Sequence, residues 1–233
     1  MIKDLRREIE NISDKKKAVF LQKYFKTRMG EYAEGDFFLG IAVPQCREIA
    51  IKYSSLNLKD LKILIGSKIH EERLIALLIL VHKFEKEVSK RKEIYDFYLS
   101  HTKNINNWDL VDLSSHHIVG EYLLDKPKDI LVKLARSKNF WERRIALIST
   151  FAFIREKDFD MSLKLAEILV KDKEDLIQKA LGWMLREIGK RDLAVEEKFL
   201  VKHYEEMGRT TLRYAIERFP EQKRLAYLHG KIK

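Results

Sequence analysis

Cysteine is almost missing from this chain. Cys46 is the only one in 233 residues, so no disulfide forms within the chain and a thiolate-rich metal site is excluded. Long apolar runs are missing too. The longest, "LIALLILV" at 74–81, is far too short to span a bilayer. The N-terminus, "MIKDLRREIENISDKKK", is charged from the start and lacks the apolar core of a signal peptide, so a cytoplasmic protein is expected. No Walker loop or dinucleotide fingerprint occurs; "GEYAEGD" is not followed by Lys-Ser/Thr. No motif supports Ser-His-Asp nucleophile chemistry. His116, His117 and Glu121 lack a matching cluster, and no metal site is expected.

Three prolines and nine glycines are all that punctuate the sequence. Apolar residues recur at helical spacing almost throughout, without a run of alternating strands, so the expected fold class is all-α. Charge is what the chain has in quantity. Lys+Arg 46 against Asp+Glu 36 gives a net +10, within 35% charged and 45% hydrophobic residues. That mixture fits a folded chain rather than a disordered one. The basic excess favours a polyanionic partner, most often nucleic acid, with a merely soluble basic protein as the plain alternative.

A repeat appears when similar helices are laid side by side. "ERLIAL" at 72–77 matches "ERRIAL" at 142–147, followed by "IQKAL" at 177–181 and "LRYAI" at 212–216. Their alanines are Ala76, Ala146, Ala180 and Ala215. The last three lie about 35 residues apart and the first gap is about twice that. "NWDLVDLSS" fills the missing repeat and puts Asp112 at the alanine register. Such a period indicates helix pairs stacked as an α-solenoid of HEAT or armadillo type, about six pairs in one domain over 1–233.

Three helices break their own pattern. The one starting at Trp108 is expected to run on through a stripe of Val111, Ile118, Val119, Tyr122 and Leu123. Asp112 falls inside that stripe, one turn after Trp108, whereas Asp109 reads as an ordinary first-turn acid. A carboxylate there either caps or pairs structurally, or serves a site. In "WERRIALISTFAF" (141–153), Arg144 falls among Trp141, Leu147, Ile148 and Phe151, while Arg143 projects elsewhere. Arg144 reads as pairing with a neighbouring helix's acid, Asp112 being a candidate. Arg213 has the same offset before its alanine. In "LIQKALGWMLREIG" (176–189), Trp183 lies off the stripe of Ile177, Ala180, Leu181, Met184, Leu185 and Ile188, beside Lys179 and Arg186. That suits stacking or cation–π contact with nucleic acid, or a tryptophan covering the next repeat.

With these residues in place the sequence resembles the DNA alkylation repair family of HEAT-like DNA glycosylases, the AlkD type. The carriers are "FFLGIAVPQCREIA" (37–50), "HEERLIALLILV" (70–81), "NNWDLVD" (106–112), "WERRIALISTFAF" (141–153), "IQKALGWMLRE" (177–187) and "LRYAIERFP" (212–220). The resemblance implies a monomeric, curved solenoid whose basic concave face holds double-stranded DNA containing alkylated purines. It implies excision of N3- and N7-alkylpurines without a base-flipping pocket, metal or organic cofactor, and a place in the cytoplasm, at the nucleoid when acting on DNA. By the same resemblance Asp112 matches the catalytic carboxylate, Trp108 and Trp183 the cleft tryptophans, and Arg144 the neighbouring arginine. Arg47, Lys179, Arg186 and Arg213 are the expected DNA contacts. The segment "KTRMGEYAEGD" (26–36) is longer than in familiar relatives, and Ala42 and Val43 stand where some carry polar residues, which leaves the N-terminal DNA contacts open. The alternative readings are a non-catalytic sensor of damaged or branched DNA, and a protein-interaction scaffold.

Overall fold

The computed structural model describes residues 1–231. Contacts divide the chain into two compact units, Met1–Ile118 and Val119–Lys233. The first holds α1 (Ile2–Asn11), α2 (Lys15–Tyr24), α3 (Val43–Lys52), α4 (Leu58–Ile65), α5 (His70–Lys86), α6 (Arg91–Ser100) and α7 (Trp108–Asp112). The second holds α8 (Asp129–Ala135), α9 (Phe140–Ser149), α10 (Phe151–Arg155), α11 (Asp160–Leu169), α12 (Asp175–Gly189), α13 (Leu193–His203), α14 (Arg209–Ala215) and α15 (Glu221–Leu228). An isolated parallel bridge pairs Phe37 with Ile69; among the described residues the architecture is otherwise helical, as the sequence predicts.

The spine of the first unit is α5. Every residue from Leu74 to Val81 is buried, so the apolar run noted in the sequence is a core helix covered on all sides. It packs against α3, α4, α6 and α7. Each of its buried Leu and Ile side chains contributes roughly 1.5–3 kcal/mol relative to exposure. The segment before α3 is fastened to the start of α5. Phe37 N–H donates to Lys68 O (3.0 Å) and His70 N–H to Phe37 O (2.8 Å). Gly40 sits at φ +83, and a Cβ there would lie 2.2 Å from Asp14 O. Only glycine allows that close approach of the loop to the start of α2.

In the second unit α12 is central, packed on α9, α13 and α14. The stripe read from its sequence, Ile177 to Ile188, is buried at all six positions. The repeat alanines Ala76, Ala146, Ala180 and Ala215 are all buried. At Gly182 an added Cβ would meet Thr211 O and Tyr214 Cβ at 2.5 Å, which shows how closely α14 lies on α12.

One helix is shorter than its sequence pattern predicts. α7 stops at Asp112 instead of running on to Leu123. The chain tightens there: Leu113 N–H bonds Asp109 O (3.0 Å) and Ser114 N–H bonds Val111 O (3.2 Å). The Ser114 hydroxyl donates back to Leu110 O. Such serine back-bonding competes with the regular ladder, and a π-helical turn, His116–Gly120, follows.

Candidate functional site

α7 presents the tryptophan and the two carboxylates of the first unit. Trp108 is half-buried. Its indole stacks on Phe25 (centroids 5.1 Å, 15°) and meets Tyr24 edge-on at 6.1 Å. Burial raises the Tyr32 phenol above its usual range, while the Trp108 indole N–H, donating to it, acts the other way. Asp112, the last residue of α7, is half-buried. It lies close enough to Tyr98 to be felt: burial drives that phenol's pKa up, and the Asp112 charge adds to the rise. The Tyr98 hydroxyl is bonded to Ser114 Oγ at 3.0 Å.

Asp109 departs from the sequence reading. It lies in the first turn of α7, but it is 5% exposed and accepts from His70 Nε2 at 2.8 Å. It is the more deeply buried of the two acids. A helical wheel on α7 alone cannot contain this pairing, since α7 ends at Asp112 and His70 is 39 residues away in sequence. His70 opens a run, His70–Arg73, in which all four polar side chains are buried. Glu71 accepts from the backbone N–H groups of Leu39, Gly40 and Ile41 at 2.9–3.2 Å. Glu72 receives a forked pair of bonds from Arg6 (2.8 and 2.9 Å). Arg73 donates to Asp36 Oδ2 (2.5 Å) and Ser67 O (2.8 Å). Burial lowers the His70 pKa, but the Asp109 charge and hydrogen bond, with Asp36 behind them, outweigh it and bring the value up to about 9.

The second unit brings Arg144, Lys179, Trp183 and Arg186 onto the packed pair α9 and α12. Arg144 is buried, as its place in the stripe predicts, and its guanidinium donates to Leu176 O at the start of α12. Arg143 turns to Asp172 (2.7 Å) and to Ser137 O (2.9 Å). Trp183 is half-buried, 6.1 Å from the Phe151 ring. Its indole N–H bonds Glu187, one turn on. Burial raises the Glu187 pKa, but Lys190, Arg191 and Trp183 more than offset it, so the carboxyl stays below its usual range. The cations flanking Trp183 each hold an acid: Lys179 pairs with Asp175 (2.7 Å) and Arg186 with Glu217. Arg47, on α3, and Arg213, on α14, are exposed. The His116 and His117 rings lie 4.0 Å apart, tilted by 36°, and among the described residues no group of three His, Cys, Asp or Glu gathers as a metal would need. No helix among them is long and apolar enough to cross a membrane.

Sequence reasoning passed over α2. Lys16, Lys17, Phe20, Lys23 and Tyr24 are all exposed, and at 100° per residue they share one face. Phe20 stacks on Tyr24 (6.1 Å, 15°), and Tyr24 meets Trp108. The aromatic contact at Trp108 therefore continues onto a lysine-rich helix. Aromatics four residues apart among lysines in "KKKAVFLQKY" were the available signal.

These features define an all-α helical-repeat protein with Trp108 and Trp183 half-buried and aromatics among lysines on α2. A family model described as DNA alkylation repair enzyme matches residues 5–219, and the chain belongs to that family. Its role is in DNA repair and its partner is DNA. A solved structure titled "Predicted DNA alkylation repair enzyme from Enterococcus faecalis" aligns at TM-score 0.69 and 17% identity, over 90% of this chain and 97% of that one. AlkD2 from Streptococcus mutans aligns at TM-score 0.58 and 18% identity, over 89% and 99%. The protein smu.31 from Streptococcus mutans UA159 aligns at 0.59 and 17%, over 88% and 98%. At these identities the structures share the fold. No curated protein matches the chain in sequence.

Proposed function

We propose that the protein is a DNA glycosylase that removes cationic N3- and N7-alkylpurines from duplex DNA by hydrolysing the N-glycosidic bond. The observation that carries this reading is Asp112, a half-buried carboxylate at the end of α7, one turn after a half-buried tryptophan, in a chain of the DNA alkylation repair enzyme family.

The chemistry asks little beyond charge. An alkylated purine that is already cationic leaves without being protonated. What grows in the transition state is positive charge on the deoxyribose. A fixed carboxylate stabilises that charge and helps to orient water. Asp112 takes this role, so no flipping pocket, metal or organic cofactor is needed. The indoles of Trp108 and Trp183 add cation–π attraction of roughly 0.5–2 kcal/mol each. Arg144 holds a phosphate. Arg47, Lys179, Arg186 and Arg213 contact the backbone, with Lys179 and Arg186 exchanging Asp175 and Glu217 for phosphate. The protein acts as a monomer.

The test is release of 7-methylguanine and 3-methyladenine from methylated duplex DNA by the wild-type protein and Asp112→Asn. The variant is expected to lose about 100- to 1000-fold in rate while keeping its DNA affinity. Absence of release by the wild type sinks the reading; an unchanged rate removes Asp112 from it. A second reading, a non-catalytic sensor of damaged or branched DNA, is favoured by the α2 face, because exposed aromatics among lysines suit strands with accessible bases. It predicts salt-sensitive binding without base release.

A further inference from the structure

Five residues make α7 too short to hold itself, since isolated helices need about 12–15 residues even in favourable sequences. Its first turn is tied locally. Asn107 Oδ1 accepts from Trp108 N–H (2.8 Å), and Asp109 Oδ1 accepts from Leu110 N–H (2.8 Å). The other oxygen of Asp109 reaches out of the helix to His70 Nε2 at 2.8 Å. A second connection runs through rings. His70 stacks on Phe38 (4.4 Å, 19°) and lies 5.2 Å from Phe25, which stacks on Trp108. His70 is thus joined to α7 twice, once by charge at Asp109 and once by stacking at Trp108.

The cluster closes on itself electrostatically. Asp36 Oδ2 lies 3.6 Å from His70 Nδ1 and also receives Arg73. With the imidazole protonated, His70 and Arg73 balance Asp36 and Asp109. Loss of that proton leaves one uncompensated buried negative charge, a costly state.

We infer that His70 is a positioning residue: by gripping Asp109 and the Phe25–Trp108 stack it holds α7, and with it Asp112 and Trp108, in the geometry the reaction uses. The catalytic part of this inference rests on the glycosylase reading; the grip on α7 does not. A misplacement of about 1 Å far from the reacting bond costs on the order of 100-fold in rate, so a loosened α7 lowers the chemical step more than DNA binding.

The groups facing the cluster are Tyr32, Cys46, Asp36, Asp109, Glu71 and Arg73. Burial raises Tyr32 above its usual range and pushes Cys46 up to about 12, with the Asp109 charge adding to both. Asp36, Asp109, Glu71 and Arg73 sit in paired or hydrogen-bonded sites. His70 loses its proton as the pH passes about 9.

The experiment compares full-length wild type with His70→Gln, Asp109→Asn and the double variant. It measures single-turnover base release and DNA affinity from pH 7 to 10, with amide hydrogen exchange at Leu110 and Val111. His70→Gln is expected to slow release roughly 10- to 100-fold, with affinity within about threefold, and to expose the α7 amides. The wild-type rate falls above pH 9, and the His70→Gln rate stays flat there. The losses in the double variant are less than additive, because the pair acts as one unit. Additive losses, or a wild-type rate in His70→Gln, overturn the inference, and the Asp109→Asn arm decides the matter if His70→Gln does not fold. If the wild type releases no base, the glycosylase reading fails by itself. Amide exchange then judges the grip on α7: unchanged exchange overturns it, and faster exchange supports it.

Discussion

The starts of α5 and α9 are two copies of one device, and their differences fall where the proposed chemistry and its supports lie. Arg73 and Arg143 occupy the same register. Arg73 donates to Ser67 O and Arg143 to Ser137 O, each six residues back. Ser67 Oγ accepts from Ile69 N–H and Ser137 Oγ from Asn139 N–H. Each arginine also holds a buried or nearly buried aspartate, Asp36 in one unit and Asp172 in the other. Around this common frame the residues exchange character. His70 and Glu71 in α5 stand where α9 has Phe140 and Trp141, and Leu74 stands where α9 has Arg144. The first copy buries charge at its mouth to fasten loops and α7. The second puts aromatics at its mouth and sends its extra charge, Arg144, to the start of α12.

The largest break in the comparison comes at position 71. Glu71→Ala leaves three backbone N–H groups without their acceptor, at about 1–3 kcal/mol for each unsatisfied group. An expected loss of roughly 3–5 kcal/mol follows once water reaches part of the site, read as a lower urea midpoint. The Trp141→Phe change at the sister position keeps a buried apolar ring and is expected to cost less.

Next come the two arginines. Arg73→Leu strands Asp36 beside His70 in a site where both partners are at most 5% exposed. Breaking a buried pair costs about 3–5 kcal/mol. Arg143→Leu strands Asp172 nearer to solvent, so a smaller loss, about 1–2 kcal/mol, is expected. Equal losses in thermal or urea unfolding would show that the shared frame, not its burial, sets the energy.

Protonation separates the units further. The folded value for His70, about 9, lies above the ordinary imidazole value of 6.5. Its contribution is therefore complete below pH 6.5 and is lost as the pH climbs through 9. In the second unit, burial pushes Glu196 up to about 8, with the Glu197 charge adding to the rise and Arg186 opposing it. A raised acid works against the folded state once the unfolded chain ionises, so stability falls from about pH 4.5 to about pH 8. Glu196→Gln should flatten that lower limb and raise stability at pH 8 by roughly 1–3 kcal/mol, leaving the upper limb to His70. Persistence of the lower limb in Glu196→Gln would show that another group titrates there.

How much of this was legible follows from the range of the interactions. The helices, the four repeat alanines and the stripe of α12 depend on spacing within a few turns, and the sequence carries that spacing openly. The burial of Arg144 and the half-burial of Trp183 follow from the same wheel. Asp109 was misread because its partner is in α5, and a wheel drawn on one helix cannot contain it. Asn107 and Ser114 mark the ends of α7, and their side-chain bonds to Trp108 N–H and Leu110 O override the apolar stripe that points to a longer helix. Phe20 and Tyr24 were missed for the opposite reason. α2 breaks no helical pattern, and its aromatics lie on an exposed face.

The smallest expected effect tests the offset that Arg213 shares with Arg144. Each lies two residues before its repeat alanine, yet Arg144 is buried and Arg213 exposed. The shared register therefore fixes where the backbone sits and not what the side chain does. Arg144→Ala removes the donor to Leu176 O and should cost stability and base release together. Arg213→Ala should leave stability within about 0.5 kcal/mol, as surface changes do. If Arg213 meets a phosphate, its loss weakens binding to every DNA sequence alike and lowers the slope of log affinity against log salt by about one. A salt slope unchanged in Arg213→Ala places the DNA elsewhere on the second unit, and the cations beside Trp183 become the contacts to test.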